Sequence, residues 1–134
     1  MIYIDTSAAM KLVRSEVHSI ELSAWLRDRA QLPVLSSVLI EVELVRATRR
    51  SAPKQLDRAA QVLRGIGTVT LSPAVIERAG AYIDANLRSL DVIHLATAEQ
   101  VVALTRESLD AFVAYDDRLL AAARSVGLRT VAPG

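Results

Sequence analysis

The feature that most constrains this chain is a run of short apolar segments, each followed by one or two helical stretches. Met1–Ile4, Val34–Ser36, Thr68–Leu71, Ala111–Tyr115 and Leu128–Val131 read as strands. They are too continuously apolar to have one wet face, so both faces are expected to be covered. The connections are long enough to hold helices, and strands joined by helices pair in parallel. The pattern therefore predicts an α/β domain: a three-layer α/β/α sandwich with a central parallel sheet of four or five strands, in one domain over 1–134. Helical character is expected over Ala8–Arg14 and Val17–Arg29. A third helix, capped by Ser36 or Ser37, should run to about Arg50. Ser51-Ala52-Pro53 breaks the chain before a helix over Lys54–Arg64, ended by Gly65 and Gly67. Ser72-Pro73 opens a helix expected to reach Ala85. Asn86–Leu90 is a connection. Asp91–Thr105 should form a helix buried on most sides, and Asp117–Val126 a last one stopped by Gly127.

Composition enters as a set of exclusions. The chain has 134 residues and a formal charge of +1, so no global field argues for nucleic acid or membrane. Cysteine is absent, which removes disulfides, thiolate catalysis and cysteine-held zinc. Hydrophobic residues make up 51 % and aromatics only 4 %, so the core must be aliphatic and some apolar surface is expected to meet a partner. No apolar run approaches membrane-spanning length. Met1 runs straight into the first strand without a basic leader region, so a soluble cytoplasmic protein is the expectation.

In an open parallel sheet, ligands bind beyond the carboxyl ends of the strands. Four acids fall at that edge by position. Asp5 ends the first strand, followed by Thr6 and Ser7. Asp116 ends the fourth strand, with Asp117 beside it. Asp91 opens the buried helix. Glu43 lies two turns into the helix after the second strand, although periodicity alone does not separate it from Glu41. Each has an ordinary structural explanation: Asp5, Asp116 or Asp117 as helix caps, Asp91 as an acid favoured by the helix dipole, Glu43 as the ion-pair partner of Arg46. Their joint placement is what points further. Carboxylates gathered in one pocket repel one another, and a divalent cation resolves the conflict. Hard oxygen donors select Mg²⁺ or Mn²⁺, which leaves room for a phosphate and can activate water against a phosphodiester.

These residues resemble a known family. Tyr3-Ile4-Asp5-Thr6-Ser7-Ala8, Val42-Glu43-Leu44-Val45-Arg46-Ala47, Leu90-Asp91-Val92-Ile93-His94-Leu95-Ala96-Thr97-Ala98 and Ala114-Tyr115-Asp116-Asp117-Arg118-Leu119 are similar, in order, to the four motifs of PIN domains, specifically of VapC toxins from bacterial toxin–antitoxin pairs. The resemblance implies a Mg²⁺- or Mn²⁺-dependent endoribonuclease, with Asp5, Glu43, Asp91 and Asp116 as catalytic metal-site residues. It also selects Glu43 over Glu41. It further implies an RNA substrate such as tRNA or rRNA, a homodimer, and a VapB-type antitoxin that covers the site. The family often carries a hydroxyl two residues before the fourth acid, where this chain has Ala114. Thr6, Ser7 and Asp117 are therefore the auxiliary candidates.

Between Arg46 and Arg64 six basic residues face one acid, Asp57, a local excess of five positive charges. Arg46, Arg49 and Arg50 lie nearest Glu43 and are candidate phosphate contacts. His94 is expected to be a core or supporting histidine and His18 a surface one. Trp25 and Tyr82 belong to core or interface rather than to a base-stacking platform. Two alternatives from another class remain at this point: a receiver-like signalling module with an acidic Mg²⁺ pocket, and a nuclease-derived scaffold without activity. A receiver wants paired acids after its first strand. The adjacent pair here, Asp116-Asp117, comes near the chain's end, and the third strand ends at Leu71 without an acid.

Overall fold

The computed structural model describes residues 1–134. It places β1 (Ile2–Ile4) at the centre of a five-stranded sheet with β2 (Val34–Ser37), β3 (Gly67–Val69), β4 (Ala111–Val113) and β5 (Thr130–Val131). The order is β3-β2-β1-β4-β5 and every pairing is parallel. Ile2, Tyr3 and Ile4 are fully buried, as a central strand covered on both faces requires.

Alternation along β1 sorts the two layers. Ile2 and Ile4 pack with Ala8, Ala9 and Met10 of α1 (Thr6–Val13), Leu22 of α2 (Ser19–Arg27), Ile40 and Leu44 of α3 (Ile40–Ser51), and Ala59 and Val62 of α4 (Leu56–Arg64). Tyr3 faces the other way. It packs with Leu95, Ala98 and Val101 of α6 (Ser89–Thr105) and with Leu119, Leu120 and Ala123 of α7 (Asp117–Ser125). Between β3 and α6, α5 (Pro73–Gly80) rests Val75 and Ala79 on Ala96. The three-layer α/β/α expectation holds, with all five strands present.

The chain runs β1, β2, β3 outward on one side, then crosses to β4 and β5 on the other. The switch point therefore lies between the carboxyl ends of β1 and β4, where Asp5 and Asp116 stand. A receiver has the order 2-1-3-4-5. The order here is 3-2-1-4-5, which removes the receiver reading.

Several boundaries differ from expectation. The helix opened by Ser72-Pro73 stops at Gly80 rather than Ala85. Glycine weakens the last turn, and the Asp84 side chain then accepts the Asn86 N–H, a local bond that competes with helix. α6 starts at Ser89, so Asp91 is its third residue rather than its first. α3 starts at Ile40, because Ser36 is a strand residue whose hydroxyl donates to the Ile4 carbonyl, while Ser37 caps only a turn at Leu39. Pro53–Gln55 forms a separate 3₁₀ turn ahead of α4. α7 ends as expected. Gly127 is left-handed (φ +85°), and its N–H and that of Leu128 bond back to Arg124 and Ala123.

Candidate active site

Three of the four acids are also helix caps, and this decides how they are held. Asp5 Oδ1 accepts the Ala8 N–H at 2.9 Å and starts α1. Asp91 Oδ2 accepts the Arg88 N–H at 3.1 Å at the head of α6. Asp116 Oδ1 accepts the N–H groups of Arg118 and Leu119 at 2.9 and 3.0 Å and starts α7. In each, one carboxylate oxygen is engaged by the cap and the other has no backbone partner. Capping and site chemistry are therefore not rivals in this fold. The caps aim three carboxylates at one sheet edge, and the positive ends of three helices lie beside them.

Asp5 is the innermost acid, 5 % exposed. Burial pushes its carboxyl up from the usual range. The Ala8 N–H, the neighbouring His94 and the Ser7 hydroxyl pull the other way, and the Asp91 charge adds a further upward push. Asp5 and Asp91 thus share one electrostatic environment. The Ser7 hydroxyl donates to Asp5, at 2.7 and 2.9 Å from its two oxygens, and accepts the Tyr115 N–H at 3.1 Å. Ser7 therefore links Asp5 to the turn before Asp116. Its proton is committed to Asp5, so it positions that carboxylate rather than a water.

Glu43 is brought in by a residue that sequence reasoning placed merely in support. His94, 2 % exposed, stands one turn beyond Asp91 on α6. Its Nε2 lies 2.8 Å from Glu43 Oε1 and 3.4 Å from Thr6 Oγ1. Its Nδ1 lies 2.9 Å from the Tyr3 hydroxyl, which also accepts the Ser37 N–H at 2.9 Å. Glu43 pairs with His94, not with Arg46 as a solvated helix pair would. The Asp-x-x-His spacing was the available signal, because residues three apart share a helix face.

The four acids do not close into one tight cluster. No three His, Asp or Glu side chains stand close enough to ligate one ion among themselves as they lie. Asp116 and Asp117 are exposed. In the structure the Asp91 charge reaches Asp5, Glu43 pairs with His94, and Asp116 stands at the end of the adjacent strand. Asp5, Asp91 and Asp116 are each held by backbone N–H groups at their own helix start, whereas Glu43 is held by His94.

Beside this edge is a cleft of about 370 Å³, lined by Thr6, Leu39, Val42, Glu43, Arg46, Ala47, Arg50 and Leu90. Glu43, Arg46 and Arg50 form one stripe of α3. Arg49 does not line the cleft: six residues beyond Glu43 it is turned by about 240° at 3.6 residues per turn. His18 is half-buried rather than a free surface residue, and it stacks on Tyr115 with centroids 6.0 Å apart. Trp25 and Tyr82 pack against the core as expected.

The PIN domain family model matches residues 2–125. The chain belongs to the PIN-domain family. Within that family it falls with the VapC group. It is 44 % identical to Ribonuclease VapC35 of Mycobacterium tuberculosis (strain H37Rv), over all of this chain and 98 % of that one. It is 43 % identical to Ribonuclease VapC47 of M. tuberculosis (strain CDC 1551), again over all of this chain and 98 % of the relative. The M. tuberculosis toxin VapC20, described as cleaving the sarcin–ricin loop, superposes with a TM-score of 0.69 at 15 % identity, covering 99 % of this chain and 100 % of that one. A toxin–antitoxin complex from Klebsiella pneumoniae gives 0.67 at 19 % identity, covering 100 % and 98 %. At those identities the superpositions speak for the PIN fold.

Proposed function

We propose that this PIN domain is the toxin of a VapBC-type toxin–antitoxin pair and a Mg²⁺- or Mn²⁺-dependent endoribonuclease. The observation that carries the reading is a carboxylate, Asp5, 5 % exposed at the sheet's switch point, where the Asp91 charge also reaches it. Such a pair favours a cation. The donor set fits Mg²⁺ or Mn²⁺, because Mg²⁺ takes one or two carboxylates and completes its octahedron with water and substrate phosphate. Asp5 and Asp91 would hold it, with Asp116 and Glu43 reaching it from β4 and α3. When bound, the ion supplies charge neutralisation at the phosphodiester and acidifies a water.

The chain's own residues do the rest. Ser7 fixes the Asp5 carboxylate through its hydroxyl. His94 holds Glu43 at the mouth of the cleft. Arg46 and Arg50, neither of which forms an ion pair within the chain, meet the flanking phosphates as the strand passes along α3. Hydrolysis by in-line attack leaves a 5′-phosphate and a 3′-hydroxyl. Single-stranded or loop RNA, as in tRNA or rRNA, suits a shallow cleft. The VapC relatives support an antitoxin partner, whose basic side chain would compete with the cation for these carboxylates. A homodimer fits the uncovered Ile20, Ile83 and Leu104, which are 81, 98 and 72 % exposed. No helix is long and apolar enough to cross a membrane, and we place the activity in the cytoplasm, with its RNA.

The test is cleavage of structured RNA by purified, antitoxin-free protein. Cleavage with Mg²⁺ or Mn²⁺, none in EDTA, and loss in Asp5→Asn are expected. No cleavage of any RNA in either metal would remove the reading and favour the inactive scaffold.

A further inference from the structure

Two periodicities meet at this site and leave a second rung beneath the acids. Tyr3 and Asp5 point to the same face of β1, because strand side chains alternate. Asp91 and His94 share one face of α6, because residues three apart are neighbours on a helix. Tyr3 therefore meets His94 beneath Asp5, with Asp91 on the same face of α6 one turn away. On the lower rung the Tyr3 hydroxyl is 2.9 Å from His94 Nδ1 in a buried contact. Tyr3 is itself clamped, stacked on Phe112 of β4 with centroids 5.3 Å apart and held by the Ser37 N–H of β2.

Hydrogen-bond roles run in one direction along this chain of groups. With the imidazole proton on Nε2, the Ser37 N–H donates to Tyr3, the Tyr3 O–H to His94 Nδ1, and His94 Nε2–H to Glu43 Oε1. Burying a tyrosine hydroxyl and a histidine in a mostly aliphatic core has a cost that their hydrogen bonds offset.

We propose that Tyr3 and His94 are positioning residues: a strut that fixes α6 against β1, so that Asp91 faces Asp5, and that holds Glu43 by one oxygen with the other left toward the cation. The proposal rests on the metal-site reading above. The strut touches neither the RNA nor the ion, so its effect is read on cation affinity.

The experiment is calorimetric titration of the RNA-free protein with Mn²⁺, alongside thermal melting. His94→Ala should weaken Mn²⁺ by about 10- to 100-fold, the range for residues that orient a metal's ligands. Tyr3→Phe removes one hydroxyl from a still-filled core and should weaken it by roughly 2- to 10-fold, the equivalent of one net hydrogen bond. His94→Gln, whose amide can still donate to Glu43, should recover most of the affinity lost in His94→Ala. Mn²⁺ affinity within about twofold of the starting protein in both His94→Ala and Tyr3→Phe would overturn the strut while leaving the metal site standing. Should His94→Ala fail to fold, Tyr3→Phe decides alone. Absence of Mn²⁺ binding in the unsubstituted protein would overturn the metal-site reading and the strut together.

Discussion

Asparagine at position 5 would keep the α1 cap, since its carbonyl can still accept from Ala8 and Ser7, while removing the buried charge. Asp5 is raised in the folded protein relative to the unfolded chain, with burial as the main cause. The folded state therefore holds a proton that the unfolded chain has released. The stabilisation is complete below the unfolded carboxyl value and is lost as pH rises through the folded one. Metal-free protein should accordingly lose stability as pH rises above about 4, and Asp5→Asn should flatten that slope and melt higher at neutral pH. Melting curves across pH in EDTA check this. A lower melting temperature for the variant at pH 7 would argue that the charge is already compensated within the chain. Mn²⁺ should reverse the ranking, because at 100 times its Kd a ligand adds about 2.7 kcal/mol to the unsubstituted protein. Ser7→Ala tests the neighbouring link. It leaves the Tyr115 N–H without its acceptor and Asp5 with the Ala8 N–H as its remaining donor. A loss of about 1–3 kcal/mol in denaturant unfolding is expected. At this scale the sequence showed where Asp5, Asp91 and Asp116 lie, because strand ends and helix starts are local. It undervalued His94 and Ser7, whose meaning comes from partners 51 and 108 positions away.

Among the elements, α3 and α6 carry the site, and they were legible to different degrees. The all-round apolar character of α6 announced a helix packed on most sides, and His94, Leu95, Ala96, Thr97 and Ala98 are indeed buried in succession. The helix begins two residues before Asp91, because the Asp91 carboxylate reaches back from the third helical position to the Arg88 N–H. The early end of α5 was hidden by helix-forming residues beyond Gly80. On α3 the basic run suggested three phosphate contacts, but helix geometry keeps only Arg46 and Arg50 beside the cleft. Arg46→Ala and Arg50→Ala should each weaken RNA binding across sequences and reduce the slope of log affinity against log salt by about one. Arg49→Ala should change that slope little. Binding can be followed by fluorescence anisotropy with Asp5→Asn protein, so that cleavage does not intrude. Equal effects at all three arginines would place the RNA across α3 rather than along the cleft.

For the molecule as a whole, strand–helix alternation foretold the layers but not the strand order. Order is a long-range property, and 3-2-1-4-5 is what puts β1 beside β4 and so Asp5 near Asp116. The same topology explains why the acids gather without collapsing together. Asp5, Asp91 and Asp116 are anchored to different helix starts and Glu43 to His94, so their spacing is set by the sheet and by the Tyr3–His94 contact, not by mutual attraction. On the proposed reading, this edge holds one divalent cation between β1 and α6. Anomalous diffraction from crystals soaked in Mn²⁺ tests it most directly. A peak is expected within ligand distance, about 2.0–2.2 Å as for hard cations of this size, of both Asp5 and Asp91. A site away from these two carboxylates, or none at saturating Mn²⁺, would contradict it.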